Sequence, residues 1–252
     1  MAWRVFAAAA IGKSHIDGGT LCQDAFAHAR AGDTLVAVVC DGAGSYPLSH
    51  IGSANLTRQV ADALALRVEN GEALARLMPE AFHAVATETI AAARTTLAEM
   101  ASSAGVELSA YSATLVGACL DAQGGYFFHI GDGLAVAETI GEENHTTLSL
   151  PENGEYANET YFVSGEAWQA HLRITPIAQP AACLALMSDG AMPFVMAKGN
   201  GGLFRPFMDP VTRFLEGASE ADGSQGLAGT LEDPRTWTIT GDDKTLLVAL
   251  WA

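Results

Sequence analysis

Four times in this chain an apolar run abuts an aspartate that stands next to a glycine or a second aspartate. Val36 to Cys40 leads into Asp41-Gly42, Tyr126 to Gly131 into Asp132-Gly133, Cys183 to Ser188 into Asp189-Gly190, and Asp242-Asp243 come just before Thr245 to Trp251. Three of these aspartates end their strands and the fourth begins one. If the last strand runs opposite to the others, all four carboxylates reach one rim of the sheets. Two carboxylates about 4 Å apart repel by roughly 4 kcal/mol at an effective dielectric near 20, so such a cluster requires a positive partner. The only lysines are Lys13, Lys198 and Lys244. Oxygen ligands with a glycine beside them, which lets a backbone carbonyl approach, suit Mg²⁺ or Mn²⁺. One Asp-Gly taken singly is an ordinary strand-ending turn; four in register point to metal.

The elements that must position these residues can be read from pattern. Trp3 to Ala10, Asp24 to Arg30 and Thr34 to Cys40 read as short strands. A helix follows, capped by Ser49 or Ser53, with Leu56, Val60, Leu64 and Val68 on one face and a stop at Asn70-Gly71. A second helix is expected to start after Gly71 or at Pro79 and to run to Gly105. Strands return at Tyr111 to Leu120, Tyr126 to Ile130 and Leu134 to Glu138, with Gly124-Gly125 as a hairpin signal, and read as a meander. Residues 141 to 181 form a polar surface excursion with strand-like pieces at Thr160 to Val163 and His171 to Ile174. Cys183 to Met187 is another apolar run. Leu203 to Leu215 and Ala218 to Leu231 are candidate helices, and Thr245 to Trp251 is a terminal strand.

Blocks of strands separated by blocks of helices, with little βαβ alternation, predict an α+β fold. The expected arrangement is a four-layer α/β/β/α sandwich, two mainly antiparallel sheets flanked by helices, formed by residues 1–252 as one domain. Of the 252 residues, 49% are apolar and 17% charged, which excludes a disordered or coiled-coil chain. Thirteen Lys plus Arg against 29 Asp plus Glu give a net charge of −16, so neither nucleic acid nor an anionic membrane is an expected partner. Apolar stretches are too short to span a bilayer. Cys22, Cys40, Cys119 and Cys183 include no C-x-x-C pair and read as reduced, buried thiols of a cytoplasmic protein.

Six segments, in order, resemble the metal-dependent Ser/Thr protein phosphatases of type 2C, in their bacterial branch. They are Cys22-Gln23-Asp24, Val38 to Gly44, Ser112-Ala113-Thr114, Gly131-Asp132, Ser188-Asp189-Gly190 and Gly241 to Thr245. The resemblance implies the same sandwich fold and hydrolysis of phosphoserine or phosphothreonine in proteins by a water bridging two divalent ions. It implies that Asp41 bridges the ions, that the Gly42 carbonyl completes the second ion's shell, and that Asp189 and Asp242 bind the first. Asp132 then corresponds to a ligand of a third ion, shared with Asp189, and Asp24 holds metal-bound water, with Gln23 where eukaryotic relatives have Glu. Two ions, or three, of Mn²⁺ or Mg²⁺ follow.

The chain also departs from the family. No arginine precedes Gln23-Asp24 to clamp phosphate; His15 is the best substitute and Arg4 a weaker one. Gly133-Leu134 replaces the usual Ser-Arg. Asp243 stands where Asn is usual and either tightens metal binding or faces solvent. His129, before Asp132, is either a metal neighbour or a core histidine. The expected partner is a protein phosphorylated by a Ser/Thr kinase, and the enzyme is expected to be a monomer. Two other readings remain: a catalytically weak or inactive pseudophosphatase that binds phosphoproteins, and a phosphomonoesterase acting on a small metabolite.

Overall fold

In the computed structural model, described here for residues 2–139, 145–152 and 160–252, the chain begins with β1 (Trp3–Ala10), a short helix α1 (Lys13–Gly18), β2 (Ala25–Ala31) and β3 (Thr34–Cys40). Two long helices follow, α2 (Ser49–Glu69) and α3 (Pro79–Ala104). Then come β4 (Leu115–Asp121), β5 (Gly124–Ile130), β6 (Leu134–Thr139), β7 (Thr146–Ser149), β8 (Arg173–Ile177) and β9 (Ala181–Met187). The chain closes with α4 (Met192–Val195), α5 (Arg205–Gly217), α6 (Glu220–Leu231) and β10 (Lys244–Trp251).

The strands form two antiparallel sheets, in the orders β1-β10-β9-β6-β7 and β2-β3-β4-β5-β8. Side chains alternate along each strand, and both faces are covered, which explains the nearly continuous apolar runs. Val36, Val38 and Cys40 pack under α2 and α3, while Leu35, Ala37 and Val39 point between the sheets. On β10, Leu246 and Val248 meet α5 and α6, and Leu247 and Ala249 face the β2-β3-β4-β5-β8 sheet. The four-layer α/β/β/α sandwich of the sequence reading is the observed fold.

Several local expectations need correction. β4, β5 and β6 are no meander: β6 leaves its neighbours and joins β9 in the other sheet. The link that makes this crossing, Gly131-Asp132-Gly133, therefore lies where the sheets meet. Ser49 and Ser53 do not cap α2. Leu48 precedes its first turn with no side-chain cap, Ser49 donates to the Tyr46 carbonyl, and Ser53 sits inside the helix and donates to the Gln23 carbonyl at 2.6 Å. Tyr111 ends a 3₁₀ turn, so the strand starts only at Leu115, because the residues between them pair with the loop after β3 instead. The excursion supplies an edge strand to each sheet, β7 and β8. Residues 161–163 in it are not a strand; Arg94 of α3 holds this stretch through the carbonyls of Val163 and Ser164. Positions 141–144 and 153–159 of the excursion lie outside the described residues. No helix among the described residues is long and apolar enough to cross a membrane.

Candidate metal centre

Strand directions decide where the acidic side chains go. β2 and β3 are antiparallel with Ala25 opposite Cys40, so Asp24, just before β2, lies beside Asp41, just after β3. β9 and β10 are antiparallel with Leu246 opposite Met187, so Asp189 and Asp242 meet at the same end. Asp41 feels the charges of Asp24, Asp189 and Asp242. Asp132 acts on Asp189 from the crossover link and accepts a 2.6 Å hydrogen bond from Thr160. All five predicted aspartates thus gather at one rim. Among the described residues no three His, Cys, Asp or Glu side chains close on a single point as a finished ligand shell.

The loop after β3 is held from two sides. Asp41 donates its amide to the Thr114 hydroxyl at 3.0 Å and accepts from the Thr114 amide at 2.8 Å, and Ala43 donates to the Ser112 carbonyl. Gly42 donates to the Gln23 carbonyl at 3.1 Å. A Cβ on Gly42 would stand 2.6 Å from that carbonyl and 2.9 Å from the one of Ser49, so only glycine fits. Ser188 ties the other sheet to Asp24: its hydroxyl donates to Asp24 Oδ2 at 2.7 Å and accepts from the Thr245 amide at 2.9 Å. Thr114 and Ser188 lay in motifs visible in the sequence, but their tasks there were not. Each is a hydroxyl beside an aspartate, which is the signal that could have found them.

Electrostatics test whether a cation suits the site. Burial pushes Asp24 up to about 7, with the Asp243 charge adding to the rise and the Ser188 hydroxyl opposing it. Burial and the carboxylates of Asp24 and Asp189 hold Asp41 well above the ordinary range, and burial with Asp132 and Asp242 raises Asp189 to about 6. Asp24 Oδ1 and Asp189 Oδ1 are buried with no hydrogen-bond partner. Buried carboxylate oxygens of this kind are normally paired or ligate metal. The buried Lys244 amine, which sequence reading left unused, feels Asp243, Cys22, Asp24 and Asp242 but hydrogen-bonds none of them. An all-oxygen acceptor set with orphaned lone pairs fits hard divalent ions such as Mg²⁺ or Mn²⁺.

The two phosphate-clamp candidates separate cleanly. Arg4 is wrong: it pairs with Leu250, whereas the site lies at the opposite end of the ladder, where Ala10 pairs with Lys244. Its guanidinium instead donates to the carbonyls of Glu216, Leu215 and Ala218 at the end of α5. His15, on α1, stays at the site, with Nδ1 2.9 Å from Asp243 Oδ2 and Nε2 toward Gly44. Asp243 neither faces solvent nor turns to the other aspartates. It is buried, and its oxygens take the amides of Gly12 and Gln23, each at 2.6 Å, besides His15. His129 is a core histidine: fully buried, pushed well down by burial, with Nδ1 2.9 Å from the Ser149 hydroxyl. Cys22 and Cys40 are poor thiolates, the first raised to about 12 and the second well up, by burial first and neighbouring aspartates next.

Two facing antiparallel sheets between helices, with an aspartate cluster at the rim they share, define a class of α+β sandwich proteins with a rim suited to divalent metal. Comparison with known proteins narrows the class. The protein phosphatase 2C family profile matches residues 11–232, and the chain belongs to that family of protein phosphatases. It is 28% identical over 260 residues, the full length of both chains, to Serine/threonine-protein phosphatase 3 of Escherichia coli (strain K12). Its fold resembles serine-threonine phosphatase 2C from Toxoplasma gondii (TM-score 0.66, 12% identity, 100% of this chain and 95% of that one). It also resembles RsbX solved in complex with magnesium (TM-score 0.58, 12% identity, 99% and 96%).

Proposed function

We propose that the protein is an active phosphatase that hydrolyses phosphoserine and phosphothreonine in proteins, using Mn²⁺ or Mg²⁺ at the aspartate rim. Asp41, the Gly42 carbonyl, Asp189 and Asp242 would hold two ions, and Asp132 with Asp189 a third. The observation that carries this reading is the convergence of carboxylates from both sheets with two buried oxygens lacking any partner. Divalent ions there supply neutralisation of phosphoryl charge and bring a water's pKa down from about 15.7 toward neutrality. Asp24, oriented by Ser188, accepts hydrogen bonds from water at the centre, and His15, oriented by Asp243, donates to the substrate phosphate. The magnesium in RsbX supports the choice of ion.

The same reading makes the substrate the product of a Ser/Thr kinase and the enzyme a monomer of the cytoplasm, where four free cysteines are at home. The missing arginine favours one alternative, a weakly active regulator that binds phosphoproteins, since one imidazole does not replace a bidentate guanidinium.

The test is turnover of a phosphothreonine peptide and of p-nitrophenyl phosphate with Mn²⁺ or Mg²⁺, with chelator, and in Asp41→Asn. We expect hydrolysis that chelator abolishes and a loss of at least about 100-fold in the variant, the scale of removing one transition-state charge stabiliser. Normal turnover by Asp41→Asn, or without divalent ions, would overturn the proposal. Peptide binding without turnover establishes the regulator, and turnover of metabolite phosphates alone establishes a small-molecule esterase.

A further inference from the structure

We propose that the cleft beside Asp132 and Asp189 is the docking groove for the polypeptide around the phosphorylated residue, and that Lys198 selects an acidic side chain on it. This rests on the phosphatase reading above and adds the sequence preference of the substrate. The cleft encloses about 910 Å³, in the range of sites that enclose a ligand. Asp132 and Asp189 belong both to it and to the candidate metal centre, so a phosphoryl group at the aspartates puts its neighbouring residues in the cleft.

Its other walls mix apolar side chains with the polar tip around Lys198 and Asn200. Met192, Pro193 and Met196 line it after Asp189, and Leu150 and Phe204 are 46% and 43% exposed. Large apolar side chains left half-open in one cleft mark a binding surface more than a solvated one. Among the described residues Lys198 is the one cation lining it, on a hairpin closed by the Met196 to Leu203 bridge and the Ala197 amide on the Gly202 carbonyl at 2.9 Å. Gly199 and Asn200 take left-handed backbone there (φ 77° and 54°), uncommon for an asparagine, so the tip has one built shape. Lys198 is exposed and makes no ion pair among the described residues. On a chain of net charge −16, which repels acidic peptides at large, an unpaired lysine beside exposed apolar side chains is a local complement to one.

The experiment uses the full chain with Mn²⁺ and phosphothreonine peptides bearing Glu, Ala or Lys within about four residues on either side, with p-nitrophenyl phosphate as a substrate too small to reach the cleft. Glu at one flank is expected to raise kcat/KM over Lys by about fivefold, the upper range for an exposed charge pair, and Lys198→Glu to reverse that preference. Phe204→Ser should lower peptide kcat/KM relative to p-nitrophenyl phosphate. A flank preference absent from the parent protein, or identical in Lys198→Glu, overturns the proposal. If neither the phosphothreonine peptides nor p-nitrophenyl phosphate is hydrolysed, the phosphatase reading has failed instead; peptide affinity by fluorescence anisotropy then decides, loss of the Glu preference in Lys198→Glu supporting the groove and equal affinities overturning it. A dimer in ultracentrifugation that Phe204→Ser dissociates overturns it in favour of a self-interface.

Discussion

At the scale of single residues, Asp243 shows how one acidic replacement can be structural at an otherwise metal-suited site. Its two oxygens are fully used, Oδ1 by the Gly12 amide and Oδ2 by the Gln23 amide and His15. An asparagine has one acceptor oxygen, so its amide nitrogen must face a backbone N–H. Leaving a buried donor unsatisfied costs about 1–3 kcal/mol. Asp243→Asn should therefore lower stability by that amount in denaturant melts and, by loosening His15, raise KM for phosphorylated substrate more than it lowers kcat. Unchanged stability would mean that the loop after β1 finds other partners. The same comparison explains what the chain alone could not reveal: an Asp after an Asp reads as solvent or metal, because its partners at Gly12 and Gln23 are more than two hundred positions away.

Elements bring the remaining residues together, and here the sequence was informative in proportion to how local the cause was. α3 starts at Pro79, which needs no amide partner at a first position, and ends before Gly105 at φ 68°; both signals act within a few residues. The switch of β6 into the other sheet depends on what β9 offers across a long separation, so period-two patterning could not see it. The short helix carrying His15 is likewise tertiary: its N-cap Gly12 makes no side-chain cap and sits against the Asp242 backbone. Gly190 shows how tightly two such elements meet, since a Cβ there would fall 1.9 Å from the Asp243 carbonyl oxygen. Gly190→Ala must push the start of β10 away from the end of β9. We expect a loss of about 1–3 kcal/mol by thermal melting, as for other overpacked sites, and weaker Mn²⁺ binding by calorimetry, because Asp189 and Asp242 ride on the separated segments. Wild-type values for both would show that this contact does not align the aspartates.

For the molecule as a whole, the clustered carboxylates turn stability into a function of pH and metal together. Asp24 titrates at about 7 and Asp189 at about 6 in the folded protein, while a free aspartate titrates near 3.9. The folded state therefore binds more protons than the unfolded one across this window. The stabilisation from holding those protons is complete below about pH 4 and is lost as pH rises through the folded values. A net charge of −16 at pH 7 acts in the same direction through general self-repulsion. Without divalent ions, the melting temperature should fall between about pH 5 and pH 7.5; even 1 kcal/mol of this linkage moves it by about 2–4 °C for a chain of 150–250 residues. Mn²⁺ competes with the protons for the same oxygens, so its stabilising effect should be small at the lower pH and larger at the upper one. Calorimetric scans with chelator and with excess Mn²⁺ at both pH values measure the four melting temperatures. Equal Mn²⁺ shifts at the two values, or a metal-free protein that gains stability as pH rises, would mean that these carboxylates are not the groups that trade protons for metal.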